Sequence, residues 1–491
     1  MTRRLPYALA CLALLAVFAP TAPSRATGIY SGPTPQLTCD TQSKPETGAQ
    51  GRVPRSEVTS GRSAKGYTCN TTMVGHFGTS GGFQVDRYVD KHGHDCAYFD
   101  STLLFPTDLR KNALEGLGVF VLDMKDPAHP KHVKSLTTPA MLSPHESLRL
   151  NTKRGLLAAD MGSPATQVGF VDVYDVSQNC LDPVLDSSSP IGVLGHESAF
   201  APDGTVFYVS STGGHTLAAI DLTNPKAPSM LWFTFSYDAH GMSVSNDGNR
   251  LYMADLGSQG TDEGGTKGLT ILDVSRINKH QVNPAVPVVS HLTWPNVSIP
   301  QNAIPVTIKG RKYVIEVDEY TSATTSPGPS MITGMGYDAK ASVGAARMID
   351  ITDERHPRVV SNMRLAVNQP SARAGDEQND PGAKFSVQGY AGHYCSVPTR
   401  DNPTYVACSF IVSGLRVFNI EDPTRPYEMA YFNAPTTPNV FPMEGDFAMS
   451  APAFVPQRNE IWYSDGFNGF YAVRLTKAAF AKGPLHAART K

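Results

Sequence analysis

Residues 118–130 read GVFVLDMKDPAHP: a glycine, a short apolar run, an aspartate, then a turn rich in Asp and Pro. The same pattern returns as FVDVYDV (170–176), TLAAIDL (216–222), GLTILDV (268–274), ARMIDIT (346–352), GLRVFNI (414–420) and GFYAVRL (469–475), seven copies in all. Turns such as KDPAHP, TNPKAP, TDERHP and EDPTRP follow four of them. Proline fixes φ, and Asp or Asn closes such turns through its own side chain, so Asp123, Asp175, Asp221, Asp273 and Asp350 read as turn caps. A further short strand follows the turn, as in HVKSLTT and YEMAYFN. Upstream of the glycine stands a hairpin: PHESLRLNTKRGLLAAD (144–160), GHESAFAPDGTVFYVSS (195–211) and AHGMSVSNDGNRLYMAD (239–255). Four strands per unit and seven units predict an all-β chain folded as a seven-bladed β-propeller.

The last unit, SAPAFVP, EIWYSD and GFYAVRL, has three strands. The segment TTMVGHFGT (71–79) looks like the fourth strand of the other units and precedes the first complete one. Pairing of the two chain ends in one blade is therefore expected to close the ring. The expected organisation is a leader over 1–26, a loosely ordered extension over 27–70, the propeller over 71–475 and a tail over 476–491.

The strands GLTILDVSRI, GVFVLDMKDPAHP and GLRVFNIEDPTRP resemble the LVIVD repeat of exported and surface bacterial β-propellers. The resemblance covers roughly residues 71–475. It implies a fold and an extracytoplasmic location, and it implies little about activity.

The composition agrees with that class. The chain has 491 residues, 41% of them hydrophobic, with 42 Gly and 38 Pro. Arg3 and Arg4, an apolar stretch around Leu12–Ala19 and Ser24-Arg25-Ala26 have the layout of a cleaved export signal, giving a mature chain from Thr27. No later run approaches the twenty apolar residues of a membrane span. No basic block stands out, which argues against nucleic acid as a partner. Beyond Cys11 in the leader lie six cysteines, an even number that suits disulfides in an exported chain. Cys395 and Cys408 lie symmetrically about the turn near Asp401-Asn402 and are expected to bridge two neighbouring strands. Cys39 with Cys69, and Cys96 with Cys180, are the remaining expected pairs.

Aligned on their hairpins, the units place Gln84, His145, His196, His240, Asn302, His393 and Ser450 where each inner strand meets the channel mouth. All are polar, and four of the chain's 14 histidines fall in this register. Two readings follow. In one, His145, His196, His240 and His393 converge on one transition-metal ion (iron, copper, zinc, nickel or manganese), since neutral imidazole is a common ligand for such ions. Gln84, Asn302 and Ser450 then form the rim. Glu146 and Glu197, with Asp160, Asp255, Asp318 and Asp465 at second-strand ends, are expected outer partners of the rings. In the other reading the channel holds water between polar side chains. Four histidines from separate blades resemble the iron centre of carotenoid cleavage oxygenases, and three with an amide resemble the metal site of oligogalacturonate lyases. Both are likenesses of fold alone, with no shared motif. Long insertions at 319–343, 366–391 and 433–448 fall on the same face and carry aromatic and methionine side chains. The functional expectation is an exported propeller with a His-lined metal or ligand site, acting as an oxidase or lyase on a small molecule. The alternative is a non-catalytic extracellular module that binds a protein or glycan through the inserted loops.

Overall fold

The computed structural model describes residues 32–101, 116–161, 169–192, 195–211, 215–257, 267–320, 343–380, 389–436 and 445–481. Seven antiparallel sheets follow one another along the chain. Blade one is formed by Val85–Val89, Asp95–Asp100, Val119–Asp123 and Lys131–Leu136. Blades two, three, four and five repeat that order from inner strands at Arg149–Asn151, Glu197–Phe200, Ala239–Val244 and Ile299–Ile308. Blade six runs inward to outward from Cys395–Ser396 to Tyr427–Asn433. Blade seven takes three strands from the C-terminal end, and its fourth is Thr71–Phe77, paired antiparallel with Gly469–Leu475. The chain is thus a β-propeller of seven blades closed by an N-terminal outer strand.

Each copy of the Gly-led motif is a third strand. The glycine is required there by close approach. At Gly118 the backbone has φ +88°, and a Cβ would lie 2.0 Å from the carbonyl oxygen of Leu136 on the outer strand. Gly268 meets Leu292 in the same way, again at 2.0 Å. The aspartates after the strand close turns as expected: Asp123, Asp221, Asp273 and Asp350 each accept the backbone N–H two residues on, at 2.7–3.0 Å. Between blades the third-strand side chains fill the core. Leu217 and Ala219 of blade three pack with Met242, Leu251 and Met253 of blade four.

All three expected disulfides form. Cys395 and Cys408 are direct partners across the ladder, with Cα atoms 4.0 Å apart.

Residues 32–70, expected to be loosely ordered, are instead tied down along their length. Tyr67–Cys69 adds a fifth strand to blade six against Tyr431–Asn433. The buried Arg416 of that blade is held between Glu46 and Glu428, and Arg52 pairs with Asp380 at 2.7 Å. Composition rich in small and polar residues concealed this, because the anchors are single charged and cysteine side chains rather than an apolar run. No helix among the described residues is long and apolar enough to cross a membrane. The leader lies outside the described residues, as do 321–342, 381–388 and 437–444 of the three long insertions.

Candidate metal centre

Five consecutive blades deliver side chains to one buried volume at the channel mouth. His240 stands at the start of the inner strand of blade four, and its Nδ1 donates to the carbonyl of Pro300 at 2.8 Å. His393 precedes the inner strand of blade six, and its Nδ1 donates to the carbonyl of Met449 at 2.7 Å. A carbonyl can only accept, so in each neutral ring the proton sits on Nδ1 and the Nε2 lone pair faces the site. His196, just ahead of the inner strand of blade three, brings Nε2 to 2.9 Å from Nε2 of His240. His145, before blade two, packs edge-on against His196 with ring centroids 4.3 Å apart.

Two carboxylates complete the group. Glu146, read from the sequence as an outer partner, stands among the rings. Its Oε2 lies 3.0 Å from Nε2 of His196 and 3.4 Å from that of His240, and its Oε1 lies 3.3 Å from Nε2 of His393. Glu319, which the sequence reading passed over for its neighbour Asp318, ends the second strand of blade five. It reaches His393 at 3.2 Å and His240 at 3.7 Å. His145, Glu146 and His196 offer ligand atoms that all lie within 4.8 Å of one another.

These contacts are poor as hydrogen bonds. Among the described residues, His145 Nδ1, Glu146 Oε2, Glu319 Oε2 and His393 Nε2 are buried atoms with no hydrogen-bond partner. Convergent lone pairs with nothing between them need a cation or protons. Ligands about 2.1 Å from one ion lie about 3.0 Å apart in an octahedron and about 3.4 Å apart in a tetrahedron. Four of the six separations here, 3.0, 3.2, 3.3 and 3.4 Å, fall in that range, and the other two, 2.9 and 3.7 Å, flank it.

The electrostatics are those of a site that wants positive charge. Burial opposes charge on His240 and His393, yet Glu146 and Glu319 outweigh it and push the two rings up to about 9 and about 10. Burial and the neighbouring His196 hold His145 well below the ordinary imidazole range, which leaves it neutral. Burial favours the neutral acid at Glu146, but His196 and His145 keep its carboxyl well below the usual carboxylate range.

The remaining expected residues have other work. Glu197 turns away from the rings: Arg149 Nη2 donates to both its oxygens at 2.7 and 2.8 Å, and the Tyr394 hydroxyl donates to Oε1. Asp318 accepts from Trp294 Nε1 at 3.0 Å and from Arg347 at 2.8 Å. Asp465 accepts the backbone N–H of Phe447 at 2.6 Å and of Phe467 at 2.9 Å, and Asp255 accepts from the Thr270 hydroxyl at 2.6 Å. Asp160 is buried with no hydrogen-bond partner for either carboxylate oxygen among the described residues. Among the described residues, three of these four aspartates fasten loops and strand ends. Gln84 donates its side-chain N–H to the carbonyl of Glu146 at 3.1 Å and so steadies that residue. Ser450 accepts the N–H of Ser464 at 2.8 Å, and Asn302 is buried with a partnerless Oδ1.

No protein family's sequence profile matches the chain, and neither does any curated protein. Among solved structures, it is similar to the hydrazine synthase of Kuenenia stuttgartiensis, at 12% identity over 81% of this chain and 97% of that one, with a TM-score of 0.48. A putative 6-phosphogluconolactonase from Bacteroides uniformis ATCC 8492 is similar at 10% identity over 72% of this chain and 90% of that one, with a TM-score of 0.46.

Proposed function

We propose that this chain is an exported propeller of the LVIVD type that holds a divalent transition metal among His145, Glu146, His196, His240, Glu319 and His393. The metal would serve oxidation or lyase chemistry on a small organic substrate. The observation that carries the reading is the convergence of four rings and two carboxylates, with separations of 2.9–3.7 Å among His196, His240, His393, Glu146 and Glu319, in which Glu146 Oε2, Glu319 Oε2 and His393 Nε2 are buried without a hydrogen-bond partner among the described residues. Two carboxylates and neutral imidazoles balance a dication without a residual charge. A donor set of imidazole and carboxylate, with no thiolate or thioether, suits zinc, iron, manganese or nickel and disfavours Cu(I). The two carbonyls that fix His240 and His393 are the kind of outer support that metal-bound histidines use. Three disulfides suit an oxidising compartment. A substrate would enter from the face that bears the inserted loops.

The test is elemental analysis of secreted, untagged protein, with intact mass to locate the mature start near Thr27. Bound transition metal that is lost on chelation and restored on addition supports the reading. Protein that carries none and takes up none overturns it, and the loop-borne binding module for a protein or glycan then takes its place.

A further inference from the structure

Six side chains meet at this site. We infer that they form two adjoining cation sites bridged by Glu146, an inference that rests on the metal reading above. The first site is a ring in which imidazoles alternate with carboxylates. Going round it, His240 lies 3.4 Å from Glu146, Glu146 lies 3.3 Å from His393, His393 lies 3.2 Å from Glu319, and Glu319 lies 3.7 Å from His240. Each carboxylate turns a different oxygen to each ring: Glu146 shows Oε2 to His240 and Oε1 to His393, and Glu319 shows Oε1 to His240 and Oε2 to His393. Both carboxylates therefore present two oxygens to the centre. The two nitrogens and four oxygens that border the ring are separated by 3.2–3.7 Å at each imidazole–carboxylate step, close enough to share one cation. With both carboxylates chelating, its shell already holds six donor atoms.

His145 and His196 are not members of that ring, although His196 Nε2 borders it at 2.9 Å from Nε2 of His240. With Glu146 they form a second group whose ligand atoms lie within 4.8 Å of one another. His196 approaches the same Glu146 Oε2 that borders the ring, at 3.0 Å. His145 has a left-handed backbone, φ +49°, which a non-glycine residue adopts only under strain. Its Nδ1 is buried and partnerless. A strained backbone and an unsatisfied buried nitrogen, on a residue grouped with a carboxylate and a second imidazole, point to a cation there. A second ion bound by His145, His196 and the shared Glu146 oxygen would keep coordination positions open. That ion is the one a substrate oxygen or water would reach.

Metal counting separates the two ideas. The full mature protein, untagged, is stripped and reloaded with Mn(II) alone, and bound manganese is measured per chain by mass spectrometry and by EPR. Two ions per chain and an exchange-coupled signal are expected. His145→Asn keeps a residue that tolerates the left-handed backbone and removes the imidazole; it should fall to one ion per chain with an unchanged circular dichroism spectrum. Glu319→Gln should lose the ring ion and the coupling. One ion per chain in the wild type, unaltered by His145→Asn, overturns the second site and leaves the metal reading standing. No ion at all overturns both.

Discussion

The tripeptide His-Glu-Ser occurs twice, at 145–147 and 196–198, and the two glutamates end in opposite roles. Glu146 and Glu197 are even bridge partners between neighbouring blades. Yet Glu146 points into the rings, and Glu197 points to Arg149 and Tyr394. Their exchange for Gln should therefore separate cleanly. Glu146→Gln should weaken metal binding by about a hundredfold or more, because it removes an anionic donor. Glu197→Gln should leave metal content intact and lower stability by about 2 kcal/mol, because it leaves Arg149 without its buried counter-ion. Metal titration and urea unfolding of both variants check the pair. The histidine register was legible in the sequence because the blade repeats. The fate of each glutamate was not, because one left-handed residue, His145, decides which way its neighbour faces. A second residue-scale prediction concerns pH. Asp90 is buried, which favours its neutral form, but the N–H groups of Cys180, His94 and His92 and the His94 ring outweigh this and hold its carboxyl at about 2. A carboxyl depressed from 3.8 in the folded state stabilises above about pH 4, and that gain is lost as the pH falls through about 2. Urea unfolding between pH 5 and 2 should show Asp90→Asn already lacking about 2 kcal/mol at pH 5 and converging on the wild type toward pH 2.

At the level of the element, the third strand of each blade carries the fold. Its glycine, its apolar run and its closing aspartate were all readable, since each answers a local demand: backbone clearance, burial on both faces, and a side-chain-closed turn. Gly118→Ala should accordingly destabilise by about 2–4 kcal/mol, since the new Cβ meets the Leu136 carbonyl and the backbone at +88° resists it. Thermal unfolding of this variant beside Gly61→Ala makes the comparison, because Gly61 shares a positive φ of +75° but has no heavy atom within 4 Å of a new Cβ. The larger loss at Gly118 would measure the clash apart from the backbone strain. The acids at the second-strand ends show where element-scale reading gives out. Asp318 and Glu319 are adjacent on one strand, so they face opposite sides. The aspartate position is the one the repeat shares across several blades. The structure gives that position to loop and strand-end fastening, and in blade five it gives the channel to the next residue.

Across the whole molecule, the chain's N-terminal part is sewn into two blades. Thr71–Phe77 supplies the outer strand of blade seven, and Tyr67–Cys69 supplies a fifth strand to blade six. The first was legible because it copies the repeat. The second was not, because three residues make no pattern and the anchors around it are long-range pairs: Arg416 with Glu46, and Cys39 with Cys69. The two attachments should fail differently. A chain begun at Thr71 keeps the ring closed, but it uncovers the three-residue edge at Tyr431–Asn433, leaves Arg416 with Glu428 alone and removes one disulfide. The disulfide closes a loop whose ends are 30 residues apart, worth about 3.6 kcal/mol by loop entropy. That chain should fold as a monomer with a lower urea midpoint and should still bind metal, because the His and Glu ligands come from blades two to six. A chain begun at Ser80 also loses the strand paired with Gly469–Leu475 and so leaves the ring open between its first and last blades. The bare edge of Gly469–Leu475 invites pairing with other chains. Size-exclusion chromatography should show this second chain as oligomers or aggregate, where the first elutes as a monomer. Monomeric elution of both chains, with equal midpoints, would mean that the terminal strand does not hold the ring closed.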